Sequence, residues 1–173
     1  MSGPGGFGNG FGSGFAGRRV GAVTTTAAAP AGSDVDAVQQ ALAAEHAAVW
    51  TYGLVSAFVD NQAPVSEGAN DHRARRDATE RLLRDKGATP KPPAPAYLPP
   101  QPVENANSAV AALIAVESDV CTAWHGVLER TEDADLRKTA LDALTVSAVR
   151  ATRWRKTAGV TPVPITLPGT AVG

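Results

Sequence analysis

Two glutamates, one histidine and a group of arginines carry the chemistry this sequence can offer. Glu45 lies in ALAAEHAAVWTYGLV and Glu117 in AALIAVESDV. Each is followed seven residues later by an aromatic residue, Tyr52 and Trp124 respectively. Seven residues make two helical turns, so each glutamate shares a helix face with its aromatic partner. His72 heads the run HRARRDATERLLRDKGATP, with Arg75 and Arg76 about one turn on. Two carboxylates and an imidazole suit a single iron, zinc or manganese ion with open positions. Guanidinium groups compete for the same carboxylates, because arginine stays charged and pairs them bidentately. A glutamate buried without any cation is costly, so one of the two must be present. The residues therefore offer two sites. One is a core ion-pair network of Glu45 and Glu117 with Arg75 or Arg76 and with Arg150. The other is a metal site of Glu45, His72 and Glu117.

Helices must position these groups. Val35, Val38, Leu42, Glu45, Val49, Tyr52 and Ser56 alternate at spacings of three and four and mark the seam of a first helix. It opens at Ser33, where Ser-x-x-Asp supplies a hydroxyl cap and an early acid. DNQAPV breaks it, and a second helix spans about residues 66–86, closed by Gly87 as a left-handed cap. Residues 87–108 then hold seven of the thirteen prolines. An extended path rising about 3.1 Å per residue could run the length of a neighbouring helix and permit a parallel placement of helices two and three. Val110, Leu113, Glu117, Val120, Trp124 and Val127 mark a third helix over about 108–130. Leu136, Ala140, Leu144, Ser147, Ala151 and Trp154 mark a fourth, which follows TEDAD and ends near Ala158. The expected organisation is a Gly/Phe-rich tail over 1–32, a bundle over 33–158 and a Pro/Gly-rich tail over 159–173.

The second half echoes the first. Glu-x6-aromatic occurs on the first and third helices, and Gly-x-Thr-Pro closes the second (Gly87 to Pro90) and the fourth (Gly159 to Pro162). Two related helical hairpins joined by a long crossover describe a ferritin-like four-helix bundle, all-α, with the Pro-rich crossover between helices two and three. The runs quoted above, with Ala96-Tyr97 and AVRATRWRKTAGV, together resemble an actinobacterial ferritin-like domain family of unknown function over about residues 35–165. The resemblance implies the fold and brings no established reaction. Ferritin-like di-metal sites take a glutamate from each of helices one and three and a Glu-x-x-His pair from each of the others. Glu45, Tyr52 and Glu117 match that pattern, whereas helix two reads His72-Arg73-Ala74-Arg75-Arg76-Asp77. Aligning the Gly-x-Thr-Pro ends puts Leu144 opposite His72 and Ser147 opposite Arg75, and neither is a ligand. The expectation is a degenerate site in a non-catalytic scaffold or binding module, without a cofactor, its glutamates neutralised by arginines. The alternative is a ferritin-like oxidase or hydroxylase using iron or manganese on Glu45, His72 and Glu117. Ferritin-like domains often pair through helices one and two, so the resemblance also implies a homodimer.

Sixteen basic against seventeen acidic residues give a net charge of −1, with none of the basic excess a nucleic-acid surface needs. A single cysteine, Cys121, excludes an internal disulfide and reads as a small buried hydrophobe. No apolar stretch is read as a membrane span. Arg18-Arg19 faintly resembles a twin-arginine leader, but threonines interrupt the segment behind it, so the chain reads as cytoplasmic and export is the lesser option. Phe7, Phe11 and Phe15 in the glycine-rich tail offer a segment that could order on a protein partner. Trp50, Trp124 and Trp154 read as packing residues, and His46 and His125, each one position off a seam, as partly exposed.

Overall fold

Four helices build the all-α bundle in the computed structural model, which describes residues 31–170. They are α1 (Ala31–Val55), α2 (Gln62–Asp85), α3 (Ala106–Arg130) and α4 (Ala134–Ala158). Three of the four starts are capped by side chains, as free helix N–H groups require. The Asn61 side chain accepts from Ala63 N, and that of Asp133 from Asp135 N and Leu136 N. Asn105 and Ser108 form a reciprocal capping box, with Ser108 N bonded to Asn105 Oδ1 at 3.0 Å and Asn105 N to Ser108 Oγ at 3.0 Å. Gly87 and Gly159 follow α2 and α4 in the left-handed region, at φ 75° and 66°.

The boundaries differ from expectation where local chemistry was misjudged. Pro64 does not break α2. It lies in the first helical turn, where its missing N–H has no intrahelical partner to lose, so α2 starts at Gln62 rather than Ser66. The start of α1 at Ala31 places Ser33 inside the first turn instead of at its cap. By length and composition α3 is also apolar enough to cross a bilayer, which the sequence expectation missed. Half of that apolar window is buried within the bundle, where Leu113, Val120, Trp124 and Val127 are fully covered.

α1 packs against α2 and α3, and α3 packs against α4. Contacts across α1 and α3 run in opposite order, Asp34 with Thr131, Glu45 with Trp124 and Tyr52 with Glu117, so the two helices are antiparallel. Val38, Leu42, Leu83, Leu113, Val120 and Val127 fill the space between helices at 0% exposure. Each such side chain stabilises the fold by roughly 1.5–3 kcal/mol relative to exposure. The connection between α2 and α3 carries no helix and lies against α1. Gln39 Nε2 donates to Thr89 O at 2.8 Å, Lys91 N donates to Gln39 Oε1 at 3.0 Å, and the Tyr97 ring packs on Trp50 with centroids 5.9 Å apart. Trp50 is thus a partner of this connection, one third exposed, and not a core residue. The same covering buries His46, which was expected to be partly exposed.

The capping box gives a direct check on this local chemistry. Asn105→Ala is expected to lower stability by about 1 kcal/mol, read from a urea titration in which the midpoint falls and the slope is unchanged.

Candidate functional site

The two glutamates meet through the histidine. Glu45 on α1, His72 on α2 and Glu117 on α3 are all fully buried. His72 Nδ1 lies 2.8 Å from Glu45 Oε2, and His72 Nε2 lies 3.1 Å from Glu117 Oε1. Carboxylate oxygens only accept, so both ring nitrogens donate when both glutamates are ionised, and the ring is then an imidazolium. The aromatic residues seven positions on exchange partners across the antiparallel helices. Trp124 Nε1 donates to Glu45 Oε1 at 2.8 Å, and the Tyr52 hydroxyl donates to Glu117 Oε1 at 2.6 Å. Trp154 on α4 completes the series by donating from Nε1 to the Tyr52 oxygen at 3.0 Å.

Two arginines enclose this line from the α2–α4 side. Arg75 Nη1 reaches Glu45 Oε1 at 3.2 Å and Ser147 Oγ at 3.1 Å. Ser147, the counterpart of Arg75 in the sequence echo, is therefore also its neighbour. Arg150 Nη1 stands 3.5 Å from Glu117 Oε1 as a charge contact, while its Nη2 bonds Asp71 on α2. Arg76, offered by the sequence as an equal candidate to Arg75, is not in the cluster. It lies on the flank of α2 that faces the α2–α3 connection, lines a groove with His46 and Trp50, and pairs with Asp77 at 2.7 Å. Phe7, Phe11 and Phe15 lie outside the described residues. His125 pairs loosely with Glu129 at 3.6 Å, away from the cluster.

Burial and pairing act in opposite directions on the charges. Burial alone would raise the Glu45 carboxyl, but the hydrogen bond from His72 and the Arg75 charge outweigh it and hold the group below its ordinary value. Burial likewise disfavours the charged ring of His72, yet its bonds to Glu117 and Glu45 hold it above its ordinary value of 6.5. Burial and the neighbouring Glu117 push the Tyr52 phenol far up, so it stays a donor. Cys121, on the same helix as Glu117, is pushed up to about 12 chiefly by burial and remains an unreactive thiol.

Three cluster residues were not singled out for it by the sequence. Trp154 was read only as packing. Asp71 adjoins His72 and answers the need of Arg150 for a second carboxylate. Gly68 had the clearest signal, a glycine inside a helical pattern. A Cβ there would stand 2.6 Å from Tyr52 Cζ, so only glycine lets the ring lie across α2 and reach Glu117.

Fold and cluster together define an all-α four-helix bundle with a charged, fully covered centre. The chain belongs to the family described as Domain of unknown function (DUF4439), which matches residues 37–172. Among solved structures, a conserved hypothetical protein from Mycobacterium tuberculosis is similar. It is 39% identical with a TM-score of 0.70, and the match covers 73% of this chain and 97% of that one. No curated protein matches the chain. The family extends past residue 165, where the sequence resemblance stopped, and takes in the C-terminal segment that lies on the bundle.

Two outcomes follow from the cluster. Gly68→Ala must displace the Tyr52 ring and break its bond to Glu117. Tyr52→Phe loses the same bond without a clash, so Gly68→Ala is expected to be the more destabilising, and the double variant to be less destabilised than the sum. Chemical denaturation of the three proteins reads this directly.

The pH dependence follows from the directions of the shifts. The contribution of His72, raised on folding, is complete below its ordinary value and is lost as pH rises through the raised one. That of Glu45, lowered on folding, is present above its ordinary value and is lost as pH falls through the lowered one. Stability is therefore expected to be flat between these limits and to decline on the alkaline side. His72→Gln should remove the alkaline decline while lowering the plateau, as measured by denaturation midpoints across pH 5–10, a range of about 5 units chosen to bracket the imidazole.

Proposed function

We propose that this chain is a ferritin-like bundle in which protein cations stand where the fold's metals would be, and that it acts as a non-catalytic scaffold or binding module. The observation that carries this reading is the placement of His72, each of whose ring nitrogens lies within 3.1 Å of a carboxylate oxygen; with both nitrogens donating, the ring offers no lone pair to an ion. The antiparallel α1–α3 pair supports the ferritin-like topology. So does the connection that follows α1 from Gln39 to Trp50, the course a crossover needs to bring α3 in parallel to α2. The donor set supports the loss of metals. Arg75 and Arg150 approach the same glutamates within 3.2 Å and 3.5 Å, and a divalent ion there would face both guanidinium charges.

One observation favours the second reading, a metal-dependent oxidase or hydroxylase using iron or manganese at Glu45, His72 and Glu117. Glu117 Oε2 is buried and has no hydrogen-bond partner among the described residues, which leaves one oxygen free for a cation. It requires His72 to release a ring proton and turn from Glu117, and both arginines to withdraw.

Elemental analysis of full-length protein purified without chelator separates the two. The scaffold reading expects iron and manganese far below one per chain, and a melting temperature that EDTA does not change. Near-stoichiometric metal that disappears on Glu45→Ala would establish the second reading in its place.

A further inference from the structure

The C-terminal segment builds a partly open space against the bundle, different in character from the charged centre. After α4 the chain turns back at Gly159 and lies along α3 and α4, held by Arg155 Nε donating to Pro162 O at 2.8 Å. Gly169 seats it against α3. Its φ is 88°, and a Cβ would stand 2.5 Å from Cys121 O and 2.8 Å from His125 Cβ, so no other residue allows this approach. Between this strap and the two helices lies a cavity of about 200 Å³.

Its walls are apolar where strap meets helix, from Ala148 and Ala151 on one side and Ile165 and Pro168 on the other. The hydroxyls of Ser118, Thr122 and Thr152, which also line it, are satisfied by carbonyls one turn back in their own helices. They leave the walls without a donor that needs a partner. Arg155 is the single charged residue in the lining. Among the described residues it bonds a carbonyl and pairs with no carboxylate. An apolar space with one arginine in its lining selects a ligand by two features, a short hydrocarbon body and an anionic end. A methylene fills about the volume of a water, roughly 30 Å³, so the space takes a chain of about six or seven carbons.

We propose that this cavity binds a medium-chain carboxylate, its alkyl chain between the strap and α4 and its carboxylate on Arg155. The site is independent of the proposed scaffold function and of the cluster at His72.

Calorimetric titration of the full chain with octanoate, octan-1-ol and octylamine tests it. Octanoate is expected to bind once per chain, octanol about tenfold more weakly, the worth of one charge-assisted hydrogen bond, and octylamine not measurably. Ala148→Leu and, as a second filling variant, Thr152→Leu should abolish octanoate binding at an unchanged melting temperature. Arg155→Gln should reduce octanoate to the affinity of octanol. Failure of octanoate to saturate, binding that survives both filling variants, or a carboxylate preference that persists in Arg155→Gln would each overturn the proposal.

Discussion

The structure depends on one interaction, the hydrogen bonding of His72 to two glutamates from two other helices. Glu45 and Glu117 are both completely covered, and neither could be buried as an anion without a cation in contact. His72 answers both at once and thereby ties α1, α2 and α3 at a single height in the bundle. Arg75 and Arg150 add the remaining positive charge, and Arg150 reaches back to Asp71 so that α4 is held at the same level. Buried charge networks are weak devices for stability, because well-packed apolar side chains would do as well. What this one supplies is register. Each bond fixes one helix against another, and a shift of one residue in any helix would strand a buried charge.

The aromatic residues give that register a second layer. Tyr52 and Trp124 each lie two turns from the glutamate on their own helix and bond the glutamate of the other. In an antiparallel pair this exchange works only at one offset, and the sequence echo is the one-dimensional trace of it. Gly68 shows how narrow the fit is, since the Tyr52 ring occupies the place of its missing side chain.

Much of this was legible from residue types and spacing. Helix seams could be read because a period of three and four leaves buried positions regular, and nearly every seam residue of α3 and α4 is in the core. The glutamates were legible because a charge on an apolar seam demands compensation, and that demand pointed to Arg75 and Arg150. It pointed equally to Arg76, because residues adjacent in a helix differ by about 100° in direction, and choosing between them needs the position of the neighbouring helices. The role of His72 as the bridge was hidden for a related reason. An imidazole can ligate or donate, and only the placement of both carboxylates around the ring decides which. Asp71 and the bond from Trp154 arise from contacts between α4 and the first hairpin, which no local pattern encodes. The start of α2 lies earlier than expected because Pro64, within the run DNQAPV expected to separate the first two helices, is accommodated in the first turn of α2. The burial of His46 and the packing of Trp50 on Tyr97 both follow from where the α2–α3 connection lies, which composition alone leaves open.

The central claim is that His72 donates from both ring nitrogens, one to each buried glutamate. Nitrogen-15 NMR of the full chain labelled in histidine tests it most directly. The account expects both ring nitrogens of His72, assigned by its loss in His72→Gln, to carry a bonded proton at neutral pH and to keep it above the ordinary imidazole range. A ring nitrogen of His72 that carries no proton at neutral pH, free or bound to a metal, would contradict it.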